Sequence, residues 1–184
     1  MKLIINPYNL KEFDIDEYNI KARAILINDN NEILIGNYGE IYLLPGGSIN
    51  ANEDIPNGLI RELKEETGTD YKLEELISIC HLDYYQKNYP KRDGTIKNRL
   101  ITTYFYIGKY KEISTDNQTL TENEQKGNFK LELIALEELT NIVINNKNNN
   151  PRNIYFQKEL LAAINFYKKS IYYKNYKKKI LIQK

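Results

Sequence analysis

Residues 45–69, PGGSINANEDIPNGLIRELKEETGT, leave the chain little conformational freedom. The short apolar run EIYLLPGG (40–47) has to end where it does, because Pro45 cannot donate to a β-ladder and the two glycines admit backbone angles that other residues avoid. A sharp turn into a helix is then expected. Asp54 is placed to cap that helix, Pro56 suits its first turn, and Gly68 stands just past its C-terminus. Gly58 is a local weakness, costing roughly 1 kcal/mol relative to Ala. At about 100° per residue, Leu59, Ile60 and Leu63 share one face, and Glu62, Glu65 and Glu66 fall together on another.

The sequence around this helix is β-rich. NIKARAILIND (19–29) and EILIGNY (32–38) flank the Asn/Asp-rich NDNN and predict a hairpin. Further strands are expected in 73–86, 99–110 and 128–136, separated by polar stretches holding Pro90, Gly94, Asp116 and Gly127. NNKNNNP (145–151) reads as a surface loop. Beyond it Leu160, Leu161, Ile164, Tyr167 and Ile171 recur at helical spacing, so an amphipathic helix over about 152–178 should lie against the core. One helix among mixed strands, with 41% apolar and 28% charged residues, points to an α/β or α+β sandwich in a single domain of 184 residues.

Three glutamates within one helical turn repel one another by ~0.7 to ~3 kcal/mol per pair, depending on the local dielectric. Arg61, four residues before Glu65, offsets part of that cost. A hard cation such as Mg²⁺ reverses its sign, because Mg²⁺ takes oxygen ligands and keeps positions open for phosphate and water. Taken alone, the triplet also fits a solvated helix face. The wider spacing is more selective, since Gly47, Glu53, Arg61, Glu62, Leu63, Glu65, Glu66 and Gly68 fit G-x5-E-x7-R-E-U-x-E-E-x-G, with U aliphatic. Its seven fixed positions arise by chance about once in a million chains of this length.

That pattern resembles the Nudix box of the Nudix hydrolases, complete through Gly68, with LLPGG (43–47) similar to the strand and turn that lead into it. The one departure is Thr69, where an aliphatic residue is usual. The resemblance spans roughly 18–140 and implies an α/β/α sandwich around a mixed sheet, with an additional C-terminal helix here. It also implies metal-dependent hydrolysis of a nucleoside diphosphate linked to another moiety. Carried over by position, it makes Glu62, Glu65 and Glu66 ligands of Mg²⁺, with Mn²⁺ as its substitute, Glu66 binding most directly and Glu62 through water. Arg61 would orient a box glutamate, Glu53 would complete the outer shell, and Gly46 and Gly47 would let backbone approach metal and phosphates.

The general base in such enzymes is a box glutamate in some and a later-loop glutamate in others. Here Glu122 and Glu124, in TENEQKGN (121–128), are the later-loop candidates, and Glu124 is preferred for its proximity to the following strand. Arg23 and Tyr38 are candidates to reach a phosphate or stack a base, against simpler roles as a strand residue and a turn aromatic. KNYPKRDGTIKNR (87–99) is either a basic loop at the substrate opening or a solvated hairpin tip, the latter slightly favoured. Cys80 and His81 lack the further ligands of a zinc site.

A net charge of +1 gives no field to steer the whole molecule onto nucleic acid or membrane. The Lys/Tyr tail from Tyr167 suits RNA contact, but a covering helix with solvated lysines explains it better. One cysteine, no secretory leader and no membrane-length apolar run set the expectation of a cytoplasmic protein. Its expected partner is a small nucleoside diphosphate derivative, and a homodimer is compatible with the sequence. The competing functions are a non-catalytic nucleotide-sensing or RNA-binding module of the same fold, and a prenyl-diphosphate isomerase. Retention of every box glutamate argues against the first, and the lone Cys80 gives little support to the second.

Overall fold

The computed structural model describes residues 1–175 apart from 40, 92, 127–128 and 147–149; the side chains of 123, 124 and 151 also lie outside the description. Three long strands build the sheet: β2 (Glu17–Ile27), β6 (Ile77–Pro90) and β7 (Ile96–Lys109). β7 lies between the other two, parallel to β2 over eleven residue pairs and antiparallel to β6. A short β1 (Lys2–Ile5) extends the far edge, parallel to β6.

The predicted hairpin forms at its base and then opens. β2 and β3 (Glu32–Asn37) share the Ile27–Ile33 register, and Asn28 closes the turn by accepting from the backbone N–H groups of Asn30 and Glu32. Below that point the two strands take different neighbours. β3 pairs with β8 (Lys130–Ala135) and with the two-residue β4 (Tyr42–Leu43), while β2 pairs with β5 (Gly46–Ser48). The glycines expected in a turn are therefore in a strand. Gly46 has φ +121°, and a Cβ there would run into the Ala22 carbonyl oxygen, so glycine is what allows β5 to fit into the opening.

Alternation along β2 divides the core into two layers. Ala22, Ala24 and Leu26 point to one face, where with Leu34 and Tyr106 they bury Leu59 and Leu63 of α1 (Ile55–Thr67). Leu59 and Leu63 are fully buried, worth about 1.5–3 kcal/mol each. Ile25, Ile35, Leu82, Ile101 and Phe105 point to the other face, against α3 (Leu136–Asn145) and α4 (Pro151–Lys169). This is the expected α/β/α sandwich around a mixed sheet.

α1 carries the ends its sequence predicts. Asp54 accepts from the Asn57 N–H at 3.0 Å, Pro56 occupies the first turn, and Gly68 closes the helix in the left-handed region at φ 68°. Elsewhere the boundaries differ from expectation. Residues 73–75 form a 3-10 turn, the last expected strand runs directly into α3, and the apolar stripe of α4 ends at Tyr167, since Ile171 is exposed. A second short helix, α2 (Glu122–Lys126), follows the loop after β7. Among the described residues no helix is long and apolar enough to cross a membrane.

Candidate active site

The opening between β2 and β3 is a cleft of about 480 Å³. Its floor is β5, its acidic wall is α1, and the wall facing it comes from β2 and α4. Gly46 and Gly47 line it beside Glu62 and Glu66, which sit four residues apart on α1. Glu66 is 4% exposed and accepts from the Gly46 N–H at 2.8 Å, so the carboxylate and the strand position each other. A Cβ on Gly47 would collide with the Glu62 carboxylate; the second glycine leaves the space that this carboxylate occupies.

Arg61 organises the rest of the acidic wall. Its Nε and one terminal nitrogen donate to both oxygens of Glu53 at 2.9 and 3.0 Å, a bidentate fork. The other terminal nitrogen donates to Glu62 at 2.9 Å and to both Glu65 oxygens at 3.3 Å. Glu53 also accepts from the Asn50 N–H, and Arg61 with that bond holds its carboxyl below the usual range. Glu62 goes the other way: burial raises its pKa despite the Arg61 contact, and Glu65 adds to the rise. Glu65 pairs with Arg61 on the helix flank and does not line the cleft.

Glu62 and Glu66 offer hard oxygen donors beside the Gly46–Gly47 backbone, a donor set that suits Mg²⁺. Among the described residues no three acidic, Cys or His side chains are already gathered at metal-binding distance. The fit to a divalent ion is therefore in donor type and placement, with Glu65 held aside by Arg61.

On the facing wall Arg23 is 5% exposed and donates to the backbone carbonyls of Leu44 and Gly46. Burial disfavours its charge, but Glu159, Glu66, Tyr155 and Glu62 outweigh this and raise its pKa. Arg23 lines the cleft, and the same guanidinium ties β4 and β5 to β2. Beneath it Glu159 accepts from Thr103 and Tyr155 at 2.7 Å, and lies 3.9 Å from Arg23 Nε. Tyr38 also lines the cleft, its ring 4.9 Å from that of Phe129.

The segment that holds the later glutamates is tied to the end of α1. Thr119 N–H donates to the Glu65 carbonyl and Gln118 Nε2 to that of Glu66, and Thr121 reaches the cleft. Glu122 is exposed and pairs with Lys126. The side chain of Glu124 lies outside the described residues. Cys80 is buried, which pushes its thiol up to about 12, and His81 stacks near Tyr104, away from any metal-binding group of the described residues. Lys91 and residues 93–95 lie at the tip of the β6–β7 hairpin.

Several cleft residues have no signature in the sequence. Lys21, Arg152 and Phe156 line the cleft and also a second pocket, of about 230 Å³, that adds Gln86, Tyr89 and Arg99. The usable clue is the pair Lys21 and Arg23, two apart on a strand and so on one face.

A family model described as NUDIX domain matches residues 17–157. Nudix hydrolase 2 of Arabidopsis thaliana is 39% identical over 74 residues, covering 35% of this chain and 27% of that relative. Nudix hydrolase 10 of the same plant is 31% identical over 75 residues, 39% of this chain and 27% of the relative. The chain thus spans about a quarter of the length of these curated relatives. A NUDIX hydrolase from Nitrosomonas europaea, 16% identical, matches in fold with a TM-score of 0.51 over 78% of this chain and 88% of that one.

Proposed function

Because this chain belongs to the NUDIX domain family, we propose that it is a Mg²⁺-dependent hydrolase of nucleoside diphosphate derivatives, with the cleft beside α1 as its active site. The observation that carries this is the convergence of Glu62 and Glu66 on the acidic wall with Gly46 and Gly47 on the floor beside them, as the box spacing implies. Glu62 and Glu66, joined by Glu65, would hold Mg²⁺, or Mn²⁺ in its place. When bound, the ion supplies charge neutralisation at the diphosphate oxygens and a site for the attacking water.

The chain's own residues do the positioning. The Gly46 N–H fixes the Glu66 carboxylate, and Arg61 fixes Glu62 and Glu65 while Glu53 holds Arg61. Arg23 holds the β4–β5 carbonyls, which keeps Gly47 against α1. Tyr38 stands on the cleft wall where a nucleobase or sugar could pack. The water's proton is assigned to Glu124, on the segment tethered to the Glu65 and Glu66 carbonyls.

The test is a panel of nucleoside diphosphate derivatives (nucleotides, nucleotide sugars, dinucleoside polyphosphates) with and without Mg²⁺. Glu66→Gln should lower kcat by a factor of 10³ or more, roughly 4 kcal/mol, with an unaltered melting curve. Full activity in Glu66→Gln would remove the metal role, and full activity in Glu124→Gln would remove the base. Binding of nucleotide without turnover of any compound would favour a sensing module.

A further inference from the structure

Lys21, Arg99 and Arg152 come from β2, β7 and the first turn of α4, and all three line the 230 Å³ pocket at the end of the cleft away from the glutamates. Three cations on separate elements converge there, and among the described residues none of them forms an ion pair. Their contacts are with aromatic rings instead. Lys21 lies 5.0 Å from the Tyr155 centroid and 5.1 Å from that of Phe156, Arg99 stacks 3.9 Å above Tyr89, and Arg152 is 5.7 Å from Phe156. Arg99 Nε is buried without a hydrogen-bond partner.

Such an arrangement holds cations in place and leaves their donors to something else. Burial pulls Lys21 down to about 8, with Arg23, Arg99 and Arg152 adding to the drop and Glu159 opposing it. Of the nearby carboxylates, Glu159 accepts from Thr103 and Tyr155, and Glu17 pairs with Lys91 through Oε1 while its Oε2, buried without a hydrogen-bond partner among the described residues, makes no hydrogen bond to Arg99. A phosphate group supplies the missing acceptors. Arginine forks match its geometry, and several charge-assisted bonds can form at once. Since Lys21, Arg152 and Phe156 line both the pocket and the cleft, one molecule can occupy the two together.

We propose that this basic pocket binds a further phosphate of the substrate, beyond the scissile diphosphate, so that phosphate-extended nucleotides are the substrate class. The proposal rests on the hydrolase assignment for the location of the scissile linkage. The additional phosphate can extend a polyphosphate chain or esterify a ribose hydroxyl; the chemistry at the pocket is the same.

Two kinds of matched pair distinguish these sources: nucleoside tri- and tetraphosphates against the diphosphate, and ADP-ribose with and without a ribose phosphate. The wild type should favour the more phosphorylated member by about tenfold or more in kcat/KM in at least one pair, and the Arg99→Met/Arg152→Met double variant should lose most of that preference. Equal kcat/KM across both pairs, or a preference that survives the double variant, overturns the proposal. A second measurement is independent of turnover: thermal stabilisation by inorganic tripolyphosphate in EDTA. Stabilisation should appear in the wild type and in Glu66→Gln and be lost in the double variant, whose own melting curve reports its folding. No shift in the wild type, or an equal shift in the double variant, overturns it. Tripolyphosphate binding without any hydrolysis would count against the hydrolase assignment alone.

Discussion

Replacing Lys21 by Met keeps an unbranched side chain of similar length and removes one charge from the cleft. Lys21 is half-buried on β2, and the charged or titratable groups that face it are Arg23 on the same strand, Arg99 on β7, and Arg152, Tyr155 and Glu159 on α4. Burial, reinforced by the three arginines and opposed by Glu159, lowers its pKa from 10.5 to about 8. A lysine whose folded pKa lies below its unfolded one binds fewer protons in the folded state. Its cost to stability is therefore complete below about pH 8 and fades as pH climbs toward about 10.5. The gap corresponds to about 3 kcal/mol at pH 7 and to about 1 kcal/mol at pH 9.5. Lys21→Met should raise the unfolding free energy by up to about 3 kcal/mol at pH 7, and the advantage should shrink by about 2 kcal/mol at pH 9.5. Urea unfolding of both proteins at the two pH values, with m-values compared, measures this. A variant no more stable than wild type at pH 7, or one whose advantage is the same at both pH values, refutes the reasoning.

Mg²⁺ at about 100 times its Kd should stabilise the fold by about 2.7 kcal/mol, roughly 5–10 °C in Tm for a chain of this size. Glu66→Gln should lose most of that shift, and an undiminished shift would place the ion elsewhere. Gly47→Ala puts a methyl group into the Glu62 carboxylate, so kcat should fall by about tenfold or more while urea unfolding changes little. Arg61→Lys keeps the charge but loses the fork onto Glu53 and the reach to Glu62 and Glu65. A drop in kcat of about tenfold is expected, with KM changed less, and wild-type kinetics would show that the fork is dispensable.

Local signals made α1 legible from the sequence. The cap Asp54, Pro56, the terminator Gly68 and the apolar positions Leu59 and Leu63 all sit within the helix or one turn beyond it, and each does what its chemistry predicts. The pairing of Arg61 with Glu65 follows from helical spacing alone. Gly58 carried a second meaning that propensity could not reveal. A Cβ there would lie 2.6 Å from Ile49 and 3.0 Å from the Glu53 carboxylate, so the weak helix former is what lets the preceding loop close onto α1. The parting of β2 and β3 was not legible, because strand partners are chosen by the whole sheet and a three-residue strand such as Gly46–Ser48 has no period to detect. Nor was α3, which follows β8 with no intervening turn residue. The basic pocket draws on positions 21, 99 and 152, and no local pattern joins residues so far apart.

Opposite charges share this cleft without neutralising one another, and the reason lies in what each group already holds. Arg61 is committed to Glu53 through two bonds and reaches Glu62 and Glu65 with its remaining nitrogen. Arg23, a cleft cation whose charge Glu66 and Glu62 favour, is held by the Leu44 and Gly46 carbonyls and by Glu159. Lys21, Arg99 and Arg152 are set on aromatic faces at the far end. Collapse of the cleft into internal salt bridges would require giving up these bonds, and a buried charge that loses its partner costs several kcal/mol. The fold thus keeps a carboxylate end and a guanidinium end apart in one groove. On the proposed function, a molecule that brings a divalent cation to the first and phosphate oxygens to the second would compensate both ends at once, so a phosphorylated nucleotide bound with its metal is expected to bind here more tightly than an uncharged sugar or a bare nucleobase.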